Sequence, residues 1–173
     1  MLKLLLMRHA KSSWKDPDLD DQERPLNGRG RENADAMGKW MAKRGIAPDV
    51  VITSSTVRSQ ETWRRVKDAL GQDAPTIIAD ELYSSGPDRM LRTLHDAPKG
   101  AKTVLMIGHQ PAISSFARKL ANGSTPSSCK RAYKKFPTAA VAVIAPKAKK
   151  WKDVSFGDAD FEKFSVPKEV KDA

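Results

Sequence analysis

The sequence predicts an α/β protein: a three-layer α/β/α sandwich with a mostly parallel central sheet and helices on both faces. Short apolar segments alternate with stretches whose apolar residues recur at helical spacing, a pattern typical of this fold class. The strongest apolar segments are continuous, as in strands buried on both faces. Three of them, residues 2–7, 49–53 and 102–108, run directly into polar residues. Because ligands bind beyond the carboxyl ends of such strands, those polar residues are candidate site residues.

The other elements follow from periodicity and from residues that begin or end helices. Helices are predicted over residues 28–44, from a cap at Ser55 or Thr56 to Leu70, from Pro87, and from Pro111 to Asn122. Further strands are predicted over residues 75–79 and 138–145, and an edge hairpin over residues 151–156 and 161–166. Residues 11–26 form a long acidic loop, of a length that is often functional. A single domain is expected over residues 1–166, with a frayed tail over residues 167–173.

Composition restricts the classes of partner. The chain has 173 residues and a formal net charge of +10, which favours anionic partners. The lone cysteine, Cys129, excludes an internal disulfide and fits a reducing compartment. No signal peptide or membrane-length apolar stretch is found, so a cytoplasmic protein is expected. Contacts with membranes or nucleic acid are not expected, since no basic motif interleaved with aromatic residues appears beyond Trp151. A monomer is expected.

Two histidines and two arginines follow the three strong strands. Arg8 and His9 follow the first, Ser54 and Ser55 lead from the second to Arg58, and His109 follows the third. Arg58 falls in the first turn of a helix, where backbone N–H groups add to its attraction for anions. If the strands are neighbours, these side chains converge on one crevice. Such a set suits a phosphoryl group, because arginines stabilise its oxygens while a neutral imidazole attacks phosphorus.

Other chemistries fit these residues less well. A metal ion needs a third protein ligand beside two histidines, and the nearby arginines repel a cation, so no metal is expected. Cys129 is followed by Lys130-Arg131 rather than by a loop that could cradle phosphate. The sequence contains no Walker, Gly-x-Gly-x-x-Gly or Gly-x-Ser-x-Gly motif.

The same segments resemble the histidine phosphatase superfamily, in its branch with an Arg-His-Gly signature. The similarity is greatest to the short SixA-type phosphohistidine phosphatases, which also carry alanine after Arg-His. It covers roughly residues 2–145, in the order expected of the family. The segments that carry it are Arg8-His9-Ala10, Arg24-Pro25-Leu26-Asn27-Gly28, residues 53–62, Ile107-Gly108-His109-Gln110-Pro111 and Phe136-Pro137-Thr138-Ala139.

The resemblance implies roles, a fold and a substrate class. It implies that His9 is the nucleophile, and that Arg8, Arg58 and His109 bind the phosphoryl group and stabilise the transition state. We also expect Ser55 to contact substrate. The family has the phosphoglycerate mutase-like α/β/α fold and uses no metal or organic cofactor. The shortness of the chain leaves no room for the helical insertion of larger members, which predicts an open site able to admit a protein side chain.

The motifs do not identify the general acid. Glu81, at the end of a short strand, is the best positional match, and Asp18, Asp20 and Asp21 in the long loop are alternatives. A leaving imidazole has an ordinary pKa of about 6.5 and needs little protonation, whereas an alkoxide needs much. A site for phosphohistidine could therefore work without a strong acid.

These observations favour a metal-independent phosphatase that acts on phosphohistidine in a protein through a phosphohistidine intermediate. Two alternatives remain: a phosphatase for a small phosphorylated metabolite, and a phosphate- or phosphoprotein-binding module without turnover. A mutase is disfavoured, because it must hold its intermediate away from water.

Overall fold

A computed structural model describes residues 1–172, which are built around one six-stranded sheet. The strands are β1 (Lys3–Arg8), β2 (Val50–Thr53), β3 (Thr76–Ile78), β4 (Thr103–Gly108), β5 (Val141–Pro146) and β6 (Ala159–Ser165). The helices are α1 (Gly28–Arg44), α2 (Val57–Leu70), α3 (Pro87–His95), α4 (Ala112–Leu120), α5 (Ser127–Lys130) and α6 (Pro167–Lys171). None of the helices within residues 1–172 is long and apolar enough to cross a membrane.

The sheet order is β3-β2-β4-β1-β5-β6. The first four strands in that order run parallel, whereas β5 and β6 run antiparallel to their neighbours. The prediction of a mostly parallel sheet is confirmed. Since β4 lies between β1 and β2, the carboxyl ends of the three strong strands are side by side.

Two apolar clusters cover the two faces of the sheet, as a three-layer sandwich requires. Along β1, Leu4 and Leu6 belong to the cluster that includes residues of α3 and α4. Leu5 and Met7 point to the other face and join the cluster formed with α1 and α2. All four side chains are almost fully buried, which explains why β1 is continuously apolar rather than alternating.

Two expectations for the end of the chain are wrong. The predicted strand over residues 151–156 contains a 3₁₀ turn, Trp151–Asp153, because the Trp151 indole is buried and donates to the Ala101 carbonyl at 2.7 Å. Of the two segments of the predicted hairpin, only the second forms a strand, β6, which pairs with β5. Residues 167–171 are not frayed: they form α6, whose first residue, Pro167, is buried and whose Glu169 pairs with Arg131. Residue 173 of the predicted tail lies outside the described residues.

The loop over residues 12–26 is held by its own contacts rather than left loose. Ser12 and Leu26 form an isolated antiparallel bridge. The buried guanidinium of Arg24 donates to the Ser12 hydroxyl at 2.7 Å and to Asp21 Oδ1 at 2.9 and 3.1 Å. It also lies 3.5 Å from the ring centre of Trp14, a side chain that is 78% exposed. Arg24 thereby fixes the path of the loop, and the Trp14 ring stacked on it stays exposed to solvent.

Candidate active site

His9 directly follows β1, and backbone contacts fix its position. Its N–H donates to the carbonyl of Gly108, at the end of β4, over 3.1 Å. The N–H of Ala139 donates to the carbonyls of both Arg8 and His9, at 3.0 and 3.2 Å. Ala139 achieves this with a φ of +65°, in the left-handed region that non-glycine residues rarely adopt. Strain of this kind persists where the surrounding structure fixes a functional segment.

A hydrogen bond of the His9 ring determines its tautomer. Nδ1 lies 2.7 Å from the Ala10 carbonyl oxygen. A carbonyl can only accept, so Nδ1 carries the proton and the lone pair of the neutral ring is on Nε2. Burial lowers the pKa of His9 to about 3, against the opposing effect of the Ala10 bond. Repulsion from His109, Arg58 and Arg8 lowers that pKa further.

His109, at the end of β4, is the second ring of the site. Its centroid lies 5.0 Å from that of His9, and its Nε2 is 2.8 Å from the hydroxyl of Ser54. Ser54 is fully buried directly after β2. Burial, followed by the charge of Arg58, lowers the pKa of His109 to about 4. Both imidazoles are therefore neutral at neutral pH.

The two arginines present buried N–H donors. The Arg8 guanidinium donates to the Phe136 carbonyl at 2.9 Å, and that of Arg58 to the Asp21 carbonyl at 2.6 Å. The Nε atom of each arginine is buried and has no hydrogen-bond partner among residues 1–172. A buried charged donor without a partner is costly, and it is a feature of sites that bind oxyanions.

Asp21 connects the long loop to this cluster. Its carboxylate accepts from Arg58 at 3.0 Å and from the Tyr83 hydroxyl at 2.7 Å, besides the contacts with Arg24. The Tyr83 ring also packs edge-on against His109, with centroids 5.6 Å apart. The hydrogen bond from Tyr83, with those from Arg58 and Arg24, holds the pKa of Asp21 well below its usual range. Asp21 is therefore ionised and cannot serve as a proton donor at neutral pH.

Two predicted site residues, Glu81 and Ser55, make no side-chain hydrogen bond with Arg8, His9, Arg58 or His109. The Glu81 carboxylate accepts from the Thr93 hydroxyl at 3.1 Å and makes no hydrogen bond or ion pair with Arg8, Arg58 or His109. The helix cap is Thr56, whose side chain accepts from Ser59, rather than Ser55. The hydroxyl bonded to His109 belongs to Ser54, which is not among the predicted site residues.

A positional signal could have identified Ser54. His9, Ser54 and His109 are each the first residue after a strand: β1, β2 and β4 respectively. Neighbouring parallel strands bring these equivalent positions to one edge of the sheet. Tyr83 and Asp21 carry no such signal, because they come from irregular segments.

The residues of the site suit an anion rather than a cation. Within the described residues 1–172, no three histidine, cysteine, aspartate or glutamate side chains come together as they would around a metal ion. Arg8 and Arg58 instead bring two positive charges to the two neutral imidazoles, an arrangement that matches the oxygens of a phosphoryl group.

Comparisons with known proteins agree with this geometry. The family model of the histidine phosphatase superfamily (branch 1) matches residues 4–85. An uncharacterized protein of Mycobacterium tuberculosis is 34% identical over 164 residues, which cover 94% of this chain and all of that protein. A solved structure from Nakamurella multipartitia, described as a SixA phosphohistidine phosphatase, has a TM-score of 0.80 at 30% identity and covers 96% of both chains. The chain belongs to the histidine phosphatase superfamily.

A third relative has a named activity. The phosphohistidine phosphatase SixA of Escherichia coli is 26% identical over 148 residues, which cover 83% of this chain and 84% of that protein. Together with the family, this relationship supports a phosphatase enzyme that acts on phosphorylated substrates. The predicted α/β/α fold is confirmed by the same structural similarity.

Proposed function

We propose that this phosphatase removes the phosphoryl group from phosphohistidine in a protein, without a metal ion, through a phosphohistidine intermediate on His9. The observation that carries the proposal is the hydrogen bond from His9 Nδ1 to the Ala10 carbonyl. It puts the lone pair on Nε2, and the depressed pKa of His9 keeps that nitrogen unprotonated. A neutral imidazole next to two arginines is the nucleophile that phosphoryl transfer needs.

In the first step, His9 Nε2 forms a bond to phosphorus while the bond from phosphorus to the substrate nitrogen breaks. The electron pair of the broken bond stays on the leaving imidazole. Charge in this transition state is spread over the three equatorial oxygens. The buried Nε–H groups of Arg8 and Arg58 are free to donate to those oxygens. The imidazole ring of His9 becomes positively charged when Nε2 bonds to phosphorus, and the two negative charges of the transferred phosphoryl group compensate for it.

In the second step, water attacks the phosphohistidine and His9 leaves as a neutral imidazole. His109 stands 5.0 Å from His9, centroid to centroid, and its Nε2 contacts the Ser54 hydroxyl. We assign His109 to hydrogen bonding with the transferred group, oriented by Ser54. A hydroxyl can donate or accept, so Ser54 can support either tautomer of His109.

The lack of a suitable acid supports phosphohistidine as the substrate. Asp21 is ionised, and Glu81 is engaged with Thr93 rather than with the four residues of the site. An imidazole whose other nitrogen carries a proton leaves as a neutral molecule and needs no further proton. An alkyl phosphate would release an alkoxide, for which general acid catalysis is worth about 10²–10⁴ in rate.

The test compares leaving groups under metal-free conditions. Purified protein with a chelator is incubated with a protein carrying phosphohistidine, with phenyl phosphate and with alkyl phosphates, beside the His9→Ala variant. We expect fast loss of phosphohistidine, slow hydrolysis of alkyl esters, and no turnover by His9→Ala. Fast hydrolysis of one small ester in preference to phosphohistidine would contradict the proposed substrate. Loss of all activity with the chelator would contradict the metal-free mechanism.

A further inference from the structure

A second concave surface adjoins the active site through Arg8. This basic cleft has a volume of about 600 Å³ and lies at the same edge of the sheet, between the end of β1, α1 and the C-terminal segment. Its lining includes six cationic side chains and no acidic one: Arg8, Lys11, Arg29, Arg131, Lys135 and Lys168. Phe164, Pro137 and Val166 supply apolar surface between them.

Most of these charges are not compensated. Arg131 forms a bidentate pair with Glu169, at 2.6 and 2.9 Å. Within residues 1–172, Lys11, Arg29, Lys135 and Lys168 make no ion pair. The cleft therefore holds about half of the net charge of +10 in one place beside the site.

The arrangement of the cations indicates what kind of anion they bind. Lys11, Arg29, Lys135 and Lys168 are exposed and come from four different segments of the chain. A subsite for a second phosphate would need buried donors, such as the guanidinium Nε atoms of Arg8 and Arg58 in the neighbouring active site. Long exposed cations spread around an open cleft instead match several carboxylates distributed over a protein surface.

We propose that the basic cleft docks acidic side chains flanking the phosphohistidine of a partner protein, and so selects acidic phosphoproteins as substrates. This inference rests on the proposed function, and it assigns the cleft to recognition rather than to chemistry. Rim charges of this kind act mainly through the rate of association, and salt screens them.

The variant that tests the cleft is Lys135→Glu/Lys168→Glu. Both side chains are exposed, and neither contacts a residue of the active site by hydrogen bond or ion pair. The matched control is Lys149→Glu/Lys150→Glu, which makes the same change in net charge. Those lysines follow the end of β5, which pairs with the start of β1, so they lie at the opposite edge of the sheet.

The probes are two synthetic peptides with one central phosphohistidine, one flanked by glutamates and the other by glutamines. For wild type, kcat/KM should be about tenfold higher for the acidic peptide at about 0.05 M NaCl, and the ratio should approach one at about 0.5 M. The Lys135→Glu/Lys168→Glu variant should lose the preference and keep wild-type turnover of phenyl phosphate. The Lys149→Glu/Lys150→Glu variant should keep the preference.

The two proposals fail in different ways. No turnover of either peptide, with phenyl phosphate still hydrolysed, would overturn the proposed function. Binding of the fluorescently labelled acidic peptide, followed by anisotropy, would then still test the cleft. Equal kcat/KM for both peptides, or a preference that survives Lys135→Glu/Lys168→Glu, would overturn the docking proposal. A loss of kcat/KM in Lys135→Glu/Lys168→Glu that is confined to small substrates with two phosphates would also overturn it. The cleft would then be a subsite for a second phosphate.

Discussion

The buried neutral histidines make the stability of the fold depend on pH in a predictable way. Each has a pKa near 6.5 in the unfolded chain, whereas the folded values are about 3 for His9 and about 4 for His109. Because the folded pKa values are the lower ones, the unfolded chain takes up protons first as pH falls. Stability is therefore complete above about pH 6.5 and is lost progressively towards the folded pKa values.

The magnitude follows from proton linkage. Between about pH 7 and about pH 5, each histidine should cost roughly 2 kcal/mol of unfolding free energy, or roughly 4 kcal/mol for the pair. Carboxylates contribute little in this window, since their unfolded pKa values are near 4. This loss is a large fraction of the unfolding free energy of a typical domain, which is roughly 5–15 kcal/mol.

Urea unfolding at about pH 5, 6 and 7 measures this dependence. Between about pH 7 and about pH 5, the unfolding free energy of wild type should fall by roughly 4 kcal/mol. It should fall by roughly 2 kcal/mol in His9→Asn and in His109→Asn, and by almost nothing in the double variant. Asparagine is suitable because its amide can replace the bond from His9 Nδ1 to the Ala10 carbonyl. If His9→Asn kept the full wild-type loss, His9 would not be a buried neutral group and the argument for its nucleophilicity would fail.

Three other predictions concern the surroundings of the site and the helix layer. Asp21→Asn removes the carboxylate next to Arg58 and should tighten inhibition by vanadate about fivefold, the equivalent of about 1 kcal/mol. Asp20→Asn removes a neighbouring charge that forms no ion pair within residues 1–172, and it should leave the inhibition constant unchanged. Equal effects of the two substitutions would refute the role of the Asp21 contact. Glu81→Gln should leave kcat/KM within about twofold for phosphohistidine, phenyl phosphate and alkyl phosphates alike, because Glu81 is engaged with Thr93 and does not act as the general acid. A loss of about tenfold or more confined to alkyl phosphates would contradict this and identify Glu81 as the acid. Gly38→Ala should lower the unfolding free energy by roughly 1–3 kcal/mol, because the new Cβ would lie 2.6 Å from the Val66 carbonyl oxygen. Gly123 has open space around it, so Gly123→Ala should change the unfolding free energy by less than about 0.5 kcal/mol in the same urea titration.

The sequence predicted the parts of the site that regular elements position. His9, Arg58 and His109 follow strands whose apolar pattern is unambiguous, and the sheet brings those strand ends together. The start of α2 could also be predicted, because Ser and Thr cap helices by a local mechanism. Such local signals are sufficient to predict a site residue where the fold only has to bring the ends of strands and helices together.

The parts that the sequence missed depend on long-range contacts between irregular segments. The Asp21–Tyr83 bond joins residues separated by 62 positions, and no periodicity encodes it. The prediction of a strand over residues 151–156 was wrong for a similar reason. Burial of the Trp151 indole against Ala101 outweighed a weak alternation of apolar and polar residues. The stability of α6 comes from burial of Pro167 and an ion pair with Arg131, neither of which is visible in the composition of a short terminal segment.

The most direct test of the central claim is to trap the phosphorylated enzyme. Protein mixed rapidly with substrate and a chelator is quenched in alkali, where phosphohistidine survives, and the modified residue is located by mass spectrometry. We expect one phosphoryl group on His9, formed at least as fast as steady-state turnover and absent from His9→Asn. Turnover without any phosphorylated enzyme, or a phosphoryl group on His109 or another residue, would contradict it.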